Sequence, residues 1–140
     1  MFTVYGPRQR PDLAIHKFVK NGIEGKPIPF YGDGTTRRDY TFIDDIINGF
    51  MAAINYSDSK YEIINLGNHQ NISLSKLVEI IQHQLNKELI IEKLPKQPGD
   101  VEQTYADISK AKSLLNWEPN TDIIEGIKKF VEWFKSKQFD

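Results

Sequence analysis

Between Gly32 and Asp45 the chain joins a two-glycine turn to a paired arginine, an alternating Tyr/Phe run and an Asp-Asp helix start, with no linker between them. A strand that feeds straight into a helix is the unit of an α/β protein. Arginine is also concentrated here. Of 18 basic residues only Arg8, Arg10, Arg37 and Arg38 are arginines, in two tight pairs. Lysine serves for a solvated surface, whereas the planar fork of arginine suits phosphate or carboxylate. The pairs therefore serve either an anion site or surface ion pairs with Asp12, Asp33 or Asp39.

The rest of the chain fits the same class. Thr3, Val4 and Tyr5, behind Met1 and Phe2, read as a strand that ends at Gly6-Pro7. With no leader before it, this is an edge strand or the start of a piece cut from a longer protein. Asp12 is expected to cap a helix that stops at Asn21-Gly22, with Leu13, Ile15 or His16, Phe18 and Val19 as its apolar stripe. Two prolines confine the segment from Lys26 to Tyr31 to an edge, and the turn after it suggests a hairpin with Arg38 to Phe42. A helix from Ile46 to Asn55 follows, with Gly49, Ala52 and Ala53 small enough for close packing. Tyr61 to Gly67 reads as a strand, Ser73 caps a helix to about Asn86, and Leu89 to Leu94 is another strand. Asp107 is expected to cap a helix from Ile108 to Leu115. Thr121 is expected to open the last helix, Asp122 to Lys137, which buries Ile123, Ile124, Ile127, Phe130, Val131 and Phe134.

Composition excludes several functions. The 39% hydrophobic and 26% charged content is that of a globular chain. A net charge of −1 argues against a nucleic-acid surface but leaves room for a small-anion site. There is no cysteine, hence no disulfide framework or thiolate metal site, which fits a cytoplasmic protein. No apolar run reaches membrane-spanning length, and no signal-peptide pattern opens the chain.

Single motifs are weak. Gly32-x-Gly34 lacks the third glycine of a dinucleotide fingerprint and precedes a strand, not a helix. Tyr56-x-x-x-Lys60 has the spacing of a Tyr/Lys proton-transfer pair but lies in a polar loop, where the two do not share a helix face. His16, His69 and His83 match no metal spacing, and no metal site is expected.

Several motifs in order say more. They are Thr3-Val4-Tyr5-Gly6-Pro7, Gly32-Asp33-Gly34 with Arg38-Asp39-Tyr40, and Asp44-Asp45. Then come Ile64-Asn65-Leu66-Gly67, Pro98-Gly99-Asp100-Val101, Ala106-Asp107-x-Ser109-Lys110-Ala111, and Leu115-x-Trp117-x-Pro119. Together they resemble the carboxyl-terminal part of the extended short-chain dehydrogenase/reductase family of NAD-dependent nucleotide-sugar epimerases and dehydratases. Within it, Tyr5 to Asp12 look most like the UDP-glucuronate 4-epimerases of bacterial capsule and surface-polysaccharide synthesis.

That resemblance implies a fold and a set of roles. The fold is α/β: a substrate-binding lobe plus the last strands of a Rossmann-type sheet whose amino-terminal half is missing. Residues 1–140 are one nucleotide-sugar-binding domain. Thr3 would lie near the sugar-diphosphate, and Val4, Tyr5, Gly6 and Pro7 would border the nicotinamide of NAD. Tyr31 would pack on uracil, and Arg38 would grip the diphosphate. Gln97 stands where many relatives have arginine, Asp100 would accept from ribose or order its loop, and Arg10, beside Arg8, would face the sugar carboxylate.

Complete relatives carry the NAD loop and the catalytic Ser/Thr and Tyr-x-x-x-Lys groups in the half not present here. No catalytic residue is therefore expected in this chain. The resemblance implies a UDP-sugar as partner and a homodimeric parent in the cytoplasm. A UDP-glucose 4-epimerase, a UDP-glucuronate decarboxylase and a non-catalytic binding module remain open.

Overall fold

Two small sheets and five helices make up the computed structural model, which describes residues 3–137. Met1 and Phe2, the start of the expected first strand, lie outside the described residues. The strands are β1 (Thr3–Tyr5), β2 (Ile28–Tyr31), β3 (Arg37–Phe42), β4 (Asn71–Ser73) and β5 (Ile91–Leu94). The helices are α1 (Ala14–Glu24), α2 (Ile43–Ile54), α3 (Leu74–Leu85), α4 (Ser109–Leu115) and α5 (Ile123–Ser136). Among the described residues no helix is long and apolar enough to cross a membrane.

One sheet has the order β1-β3-β4. β1 runs parallel to β3, with Thr3 opposite Tyr40 and Tyr5 opposite Phe42, and β4 runs antiparallel, with Arg38 opposite Ile72. Alternation along these strands sorts the side chains onto two faces. Tyr5, Tyr40 and Phe42 enter the main core, shared with Phe18, Val19, Leu77, Ile81, Ile127 and Phe130 from α1, α3 and α5. Asp39 and Thr41 are buried too, but at the odd positions of β3. A second cluster, formed by Ala106, Ile108, Ala111 and Trp117, packs Ile64, Leu66 and Leu115.

The expected hairpin of the β2 and β3 segments does not form. β2 instead pairs in parallel with β5, Ile28 opposite Ile91 and Tyr31 opposite Leu94. Gly34, at φ +85°, redirects the chain between them, and its carbonyl accepts the Ser75 N–H (3.1 Å) at the start of α3. A side chain at Gly34 would collide with Phe30 and Ser75. The turn thus ties β2 to α3 rather than closing a ribbon.

Nor is the expected strand from Tyr61 to Gly67 a strand; the segment is irregular. Its apolar alternation reflects half-burial, with Ile64 and Leu66 on the second cluster and Tyr61 and Ile63 outside, 78% and 68% exposed. Without a neighbouring strand, that alternation does not produce a ladder.

Several helix ends also move. α1 starts after Leu13 without a side-chain cap, because the Asp12 carboxylate is taken by Arg10. It stops at Gly25 in the left-handed region rather than at Gly22, which is packed inside the helix against Leu85 and Leu89. α2 starts at Ile43, three residues early, so Asp44 and Asp45 lie in its first turn. Gly49 packs there against Leu66 and Trp117. Ser73 caps α3 as expected, accepting the Lys76 N–H (3.1 Å), whereas α5 is capped by Asp122, which accepts the Ile124 N–H (2.8 Å), and not by Thr121, whose own N–H is held by Asp45. Asp107 accepts the Ser109 N–H (2.9 Å), which starts α4 one residue later than expected. On α5, Ile124 is 50% exposed rather than buried.

Candidate functional site

A cleft of about 420 Å³ opens where α1, β2, β3 and the loop after β5 meet. Leu13, Ala14 and Phe18, with Pro29, Tyr31 and Leu74, give it apolar and aromatic walls. Asp12, Lys17, Thr36, Arg38, Tyr40, Gln97 and Asp100 supply its polar groups. Four residues singled out by the sequence, Tyr31, Arg38, Gln97 and Asp100, meet here. An aromatic wall beside an arginine fork can hold a flat ring and an anion in one ligand.

β3 brings this about through its alternation. Thr36, Arg38 and Tyr40 reach the cleft, while Asp39 points the other way. The Asp39 carboxylate accepts the backbone N–H groups of Asn68 (2.8 Å) and Ala106 (3.0 Å) and the Thr41 hydroxyl (3.2 Å). The Asp39 N–H donates to Thr104 Oγ1 (2.9 Å). These bonds fix the 104–106 segment to β3, and the loop preceding it carries Asp100 to Arg38, with which it forms an ion pair. One Arg38 N–H also donates to the Arg37 carbonyl (2.8 Å). Burial pushes the Tyr40 hydroxyl up to about 12, helped by Asp100 and opposed by Arg38, so at neutral pH it remains a hydrogen-bond donor.

The other expected site residues do not line this cleft. Thr3, Val4, Tyr5, Gly6 and Pro7 form β1 and its carboxyl end. The Tyr5 ring is buried edge-on to Tyr40 and Phe42, so only its backbone is available at a strand end. Gly6 has φ +141°, and a Cβ there would meet Ile43 at 2.5 Å, so the turn out of β1 requires glycine. Arg8 follows at φ +67°, a costly backbone for a non-glycine residue. The Gln9 side chain holds this loop, donating to the Val4 carbonyl (3.0 Å) and accepting the His16 N–H (3.2 Å). Arg10 makes a two-pronged contact with Asp12 (3.0 and 2.9 Å), which places it one residue behind the cleft wall.

Sequence reasoning missed Lys17, Tyr40 and the structural role of Asp39. Lys17 carried a weak signal, standing one helical turn after Ala14 on the edge that the apolar stripe leaves free. Asp45 likewise acts structurally, its carboxylate accepting the N–H groups of Asn120 (3.2 Å) and Thr121 (3.0 Å). His16 is a core residue against Phe130, Trp133 and Phe134. Tyr56 and Lys60 lie in the irregular stretch after α2.

A second cleft, about 690 Å³, is lined by Gly32, Asp33, Thr35, Thr36, Arg37, Lys96, Glu102 and Gln103. Its charges are already engaged. Lys96 pairs with Glu102 (3.4 Å), Arg37 donates to Asn71 (2.7 and 2.8 Å), and Asp33 accepts from Thr35 (3.0 and 2.6 Å). It also lacks an aromatic wall. The smaller cleft is the better ligand site.

Comparison with known proteins gives a consistent picture. The family model described as GDP-mannose 4,6 dehydratase matches residues 1–130. A UDP-glucuronate 4-epimerase of Thermodesulfobacterium geofontis is 50% identical over 135 residues, 96% of this chain but 41% of that protein. The crystal structure of UDP-glucuronic acid 4-epimerase from Bacillus cereus, in complex with UDP-glucuronic acid and NAD, superposes with a TM-score of 0.89 at 38% identity; the match covers 97% of this chain and 44% of that one. MoeE5 in complex with UDP-glucuronic acid and NAD gives 0.94 at 31% identity, covering 97% and 46%. The chain therefore spans less than half the length of the relatives it matches.

Proposed function

The chain belongs to the GDP-mannose 4,6 dehydratase family, and on that premise we propose that it is the substrate-gripping part of an NAD-dependent UDP-glucuronate 4-epimerase. The convergence of Tyr31, Arg38, Gln97 and Asp100 on one cleft carries this reading. Tyr31 offers a ring face to uracil, Arg38 a fork to the diphosphate, and Asp100 a carboxylate to ribose or to Arg38 itself. Arg10, with Arg8 beside it, meets the sugar carboxylate by exchanging it for Asp12.

When bound, NAD supplies the hydride transfer at C4 that inverts the sugar. This chain's contribution at the cofactor is a border, with Thr3 toward the sugar-diphosphate and Val4 to Pro7 toward the nicotinamide. The fit is of backbone and apolar kind only. The Tyr5 hydroxyl is buried in the core, and the Val4 and Gly6 carbonyls already accept from Gln9. No general acid or base is available there, so the proton chemistry belongs to the remainder of the longer enzyme.

Residues 1–140 then act as one domain of that enzyme. α2 supports this, because Ile47, Phe50, Met51 and Ile54 face outward at helical spacing, 50–72% exposed, while Ile46 and Gly49 are buried on its other side. An exposed apolar stripe of this length marks a surface that another part of a larger assembly covers. The same reading makes the parent a cytoplasmic homodimer that supplies UDP-galacturonate for capsule or surface polysaccharide.

The engagement of Arg10 with Asp12 favours one competing reading, a UDP-hexose epimerase that never uses the Arg10 charge. Product analysis and affinities of the full-length parent separate the two. The uronate reading expects interconversion of UDP-glucuronate and UDP-galacturonate, with Arg10→Ala weakening UDP-glucuronate but not UDP-glucose. An Arg10→Ala variant whose affinity for each sugar is unchanged from the wild type, with conversion of UDP-glucose, would support the neutral-sugar reading.

A further inference from the structure

We propose that Lys17 is a second cationic contact for the diphosphate of the ligand in this cleft; the inference rests on the nucleotide-sugar reading above. Four charged side chains line the cleft: Asp12, Lys17, Arg38 and Asp100. Asp12 is matched from outside by Arg10, and Arg38 is matched by Asp100. Lys17 is different. Among the described residues its ammonium has no ion-pair or hydrogen-bond partner, although its backbone N–H donates to the Leu13 carbonyl (3.0 Å). It is nonetheless half-buried.

An unpaired cation on a cleft wall can meet an incoming anion without first giving up another contact. A sugar-linked diphosphate brings two negative charges. Arg38 alone, shared with Asp100, leaves the cleft near neutral for that load; Lys17 makes it cationic. The placement also fits. Ala14 and Lys17 stand one turn apart on the same edge of α1, so a methyl-sized side chain leaves room beside the ammonium. Lysine binds phosphate as a compact point charge and needs no planar partner. Its role is therefore specific to charge and indifferent to the sugar.

The test is calorimetric titration of the full chain with UDP and with uridine, at low and moderate salt. The wild-type chain is expected to bind UDP more tightly than uridine. Lys17→Ala and Lys17→Met, the second retaining most of the apolar stem, should each weaken UDP roughly tenfold, leave uridine unchanged and flatten the salt dependence. Lys17→Arg should retain UDP affinity. Thermal melts identify any variant that fails to fold, and Lys17→Arg against Lys17→Met then decides the matter. Unchanged UDP affinity in Lys17→Met, or equal losses for UDP and uridine, would overturn the assignment. Failure of the wild-type chain to bind either UDP or uridine would instead overturn the nucleotide reading of the cleft, and this inference with it.

Discussion

Arg38 on β3 and Asp100, 62 residues later, form an ion pair inside the cleft, with the arginine side chain 18% and the carboxylate 37% exposed. The pair holds the arginine fork in the site before any ligand arrives. A diphosphate would take over the contact, so the carboxylate acts as a placeholder more than as a ligand group.

Arg38→Ala should accordingly weaken UDP-glucuronate and UDP-glucose alike. A hydrogen bond to a charged group contributes about 1.5–3 kcal/mol, which corresponds to roughly ten- to a hundredfold in affinity. Asp100→Asn should change affinity by less than roughly fivefold, because it removes a competitor as well as a support. Binding isotherms for both sugars check this. A larger loss for Asp100→Asn than for Arg38→Ala would reverse the assigned roles.

Asp39 should matter more to stability than to binding. Its carboxylate is fully buried and accepts three donors, two of them backbone amides. Asp39→Ala leaves those donors buried and unpaired, at about 1–3 kcal/mol each. A loss of roughly 3 kcal/mol would lower Tm by roughly 10 °C in a chain of this size. Differential scanning calorimetry measures it, and an unchanged Tm would show that the 104–106 segment is held by other contacts.

The pH dependence at the alkaline end follows from two tyrosines. Burial raises the Tyr5 hydroxyl far above its ordinary value, with the negative charges of Asp122 and Asp45 adding to the effect. Burial also raises Tyr40 to about 12. In the unfolded chain both ionise near 10. Above that pH the unfolded chain loses protons that the folded chain keeps, so stability is full below pH 10 and falls as pH climbs through 12 and beyond. Tyr5→Phe should flatten this fall. At neutral pH it should cost little or even stabilise, because the Tyr5 hydroxyl is buried without a partner among the described residues. Urea melts from pH 8 to 11.5 test the slope.

The outward stripe of α2 yields opposite predictions for two molecules. Ile47→Lys with Phe50→Lys changes residues that are 50% and 55% exposed, so the 140-residue chain should keep its Tm and self-associate less. In the longer enzyme the same pair should destabilise by about 2 kcal/mol or more, through burial of charge. Sedimentation velocity and thermal melts of both proteins decide it. A longer enzyme indifferent to the pair would leave α2 a surface helix.

Local chemistry was the legible part of this fold. Ser73 is a capping signal with no competitor and holds α3 as expected, whereas Thr121 and Asp122 compete for the start of α5 and Asp122 takes it. Asn21-Gly22 misled because Gly25 offers a second stop, and burial of Gly22 against Leu89 decided between them. Strand pairing was not legible. β2 finds its partner in β5 only after four other elements intervene, and the tight Gly32 to Thr36 turn resembles a hairpin at short range. In the cleft, Tyr31, Arg38, Gln97 and Asp100 were visible because they sit in recognisable motifs. Lys17 was not, since one lysine on a helix edge looks like any other until the neighbouring charges are seen to be paired.

The decisive question is which cleft takes the nucleotide. Amide and side-chain NMR shifts of the 140-residue chain during titration with UDP-glucuronate measure that directly. The prediction is saturable shifts centred on Lys17, Tyr31, Arg38, Gln97 and Asp100, with Asp33, Lys96 and Glu102 little affected. Shifts centred on Asp33, Arg37, Lys96 and Glu102, or none at saturating nucleotide, would contradict it.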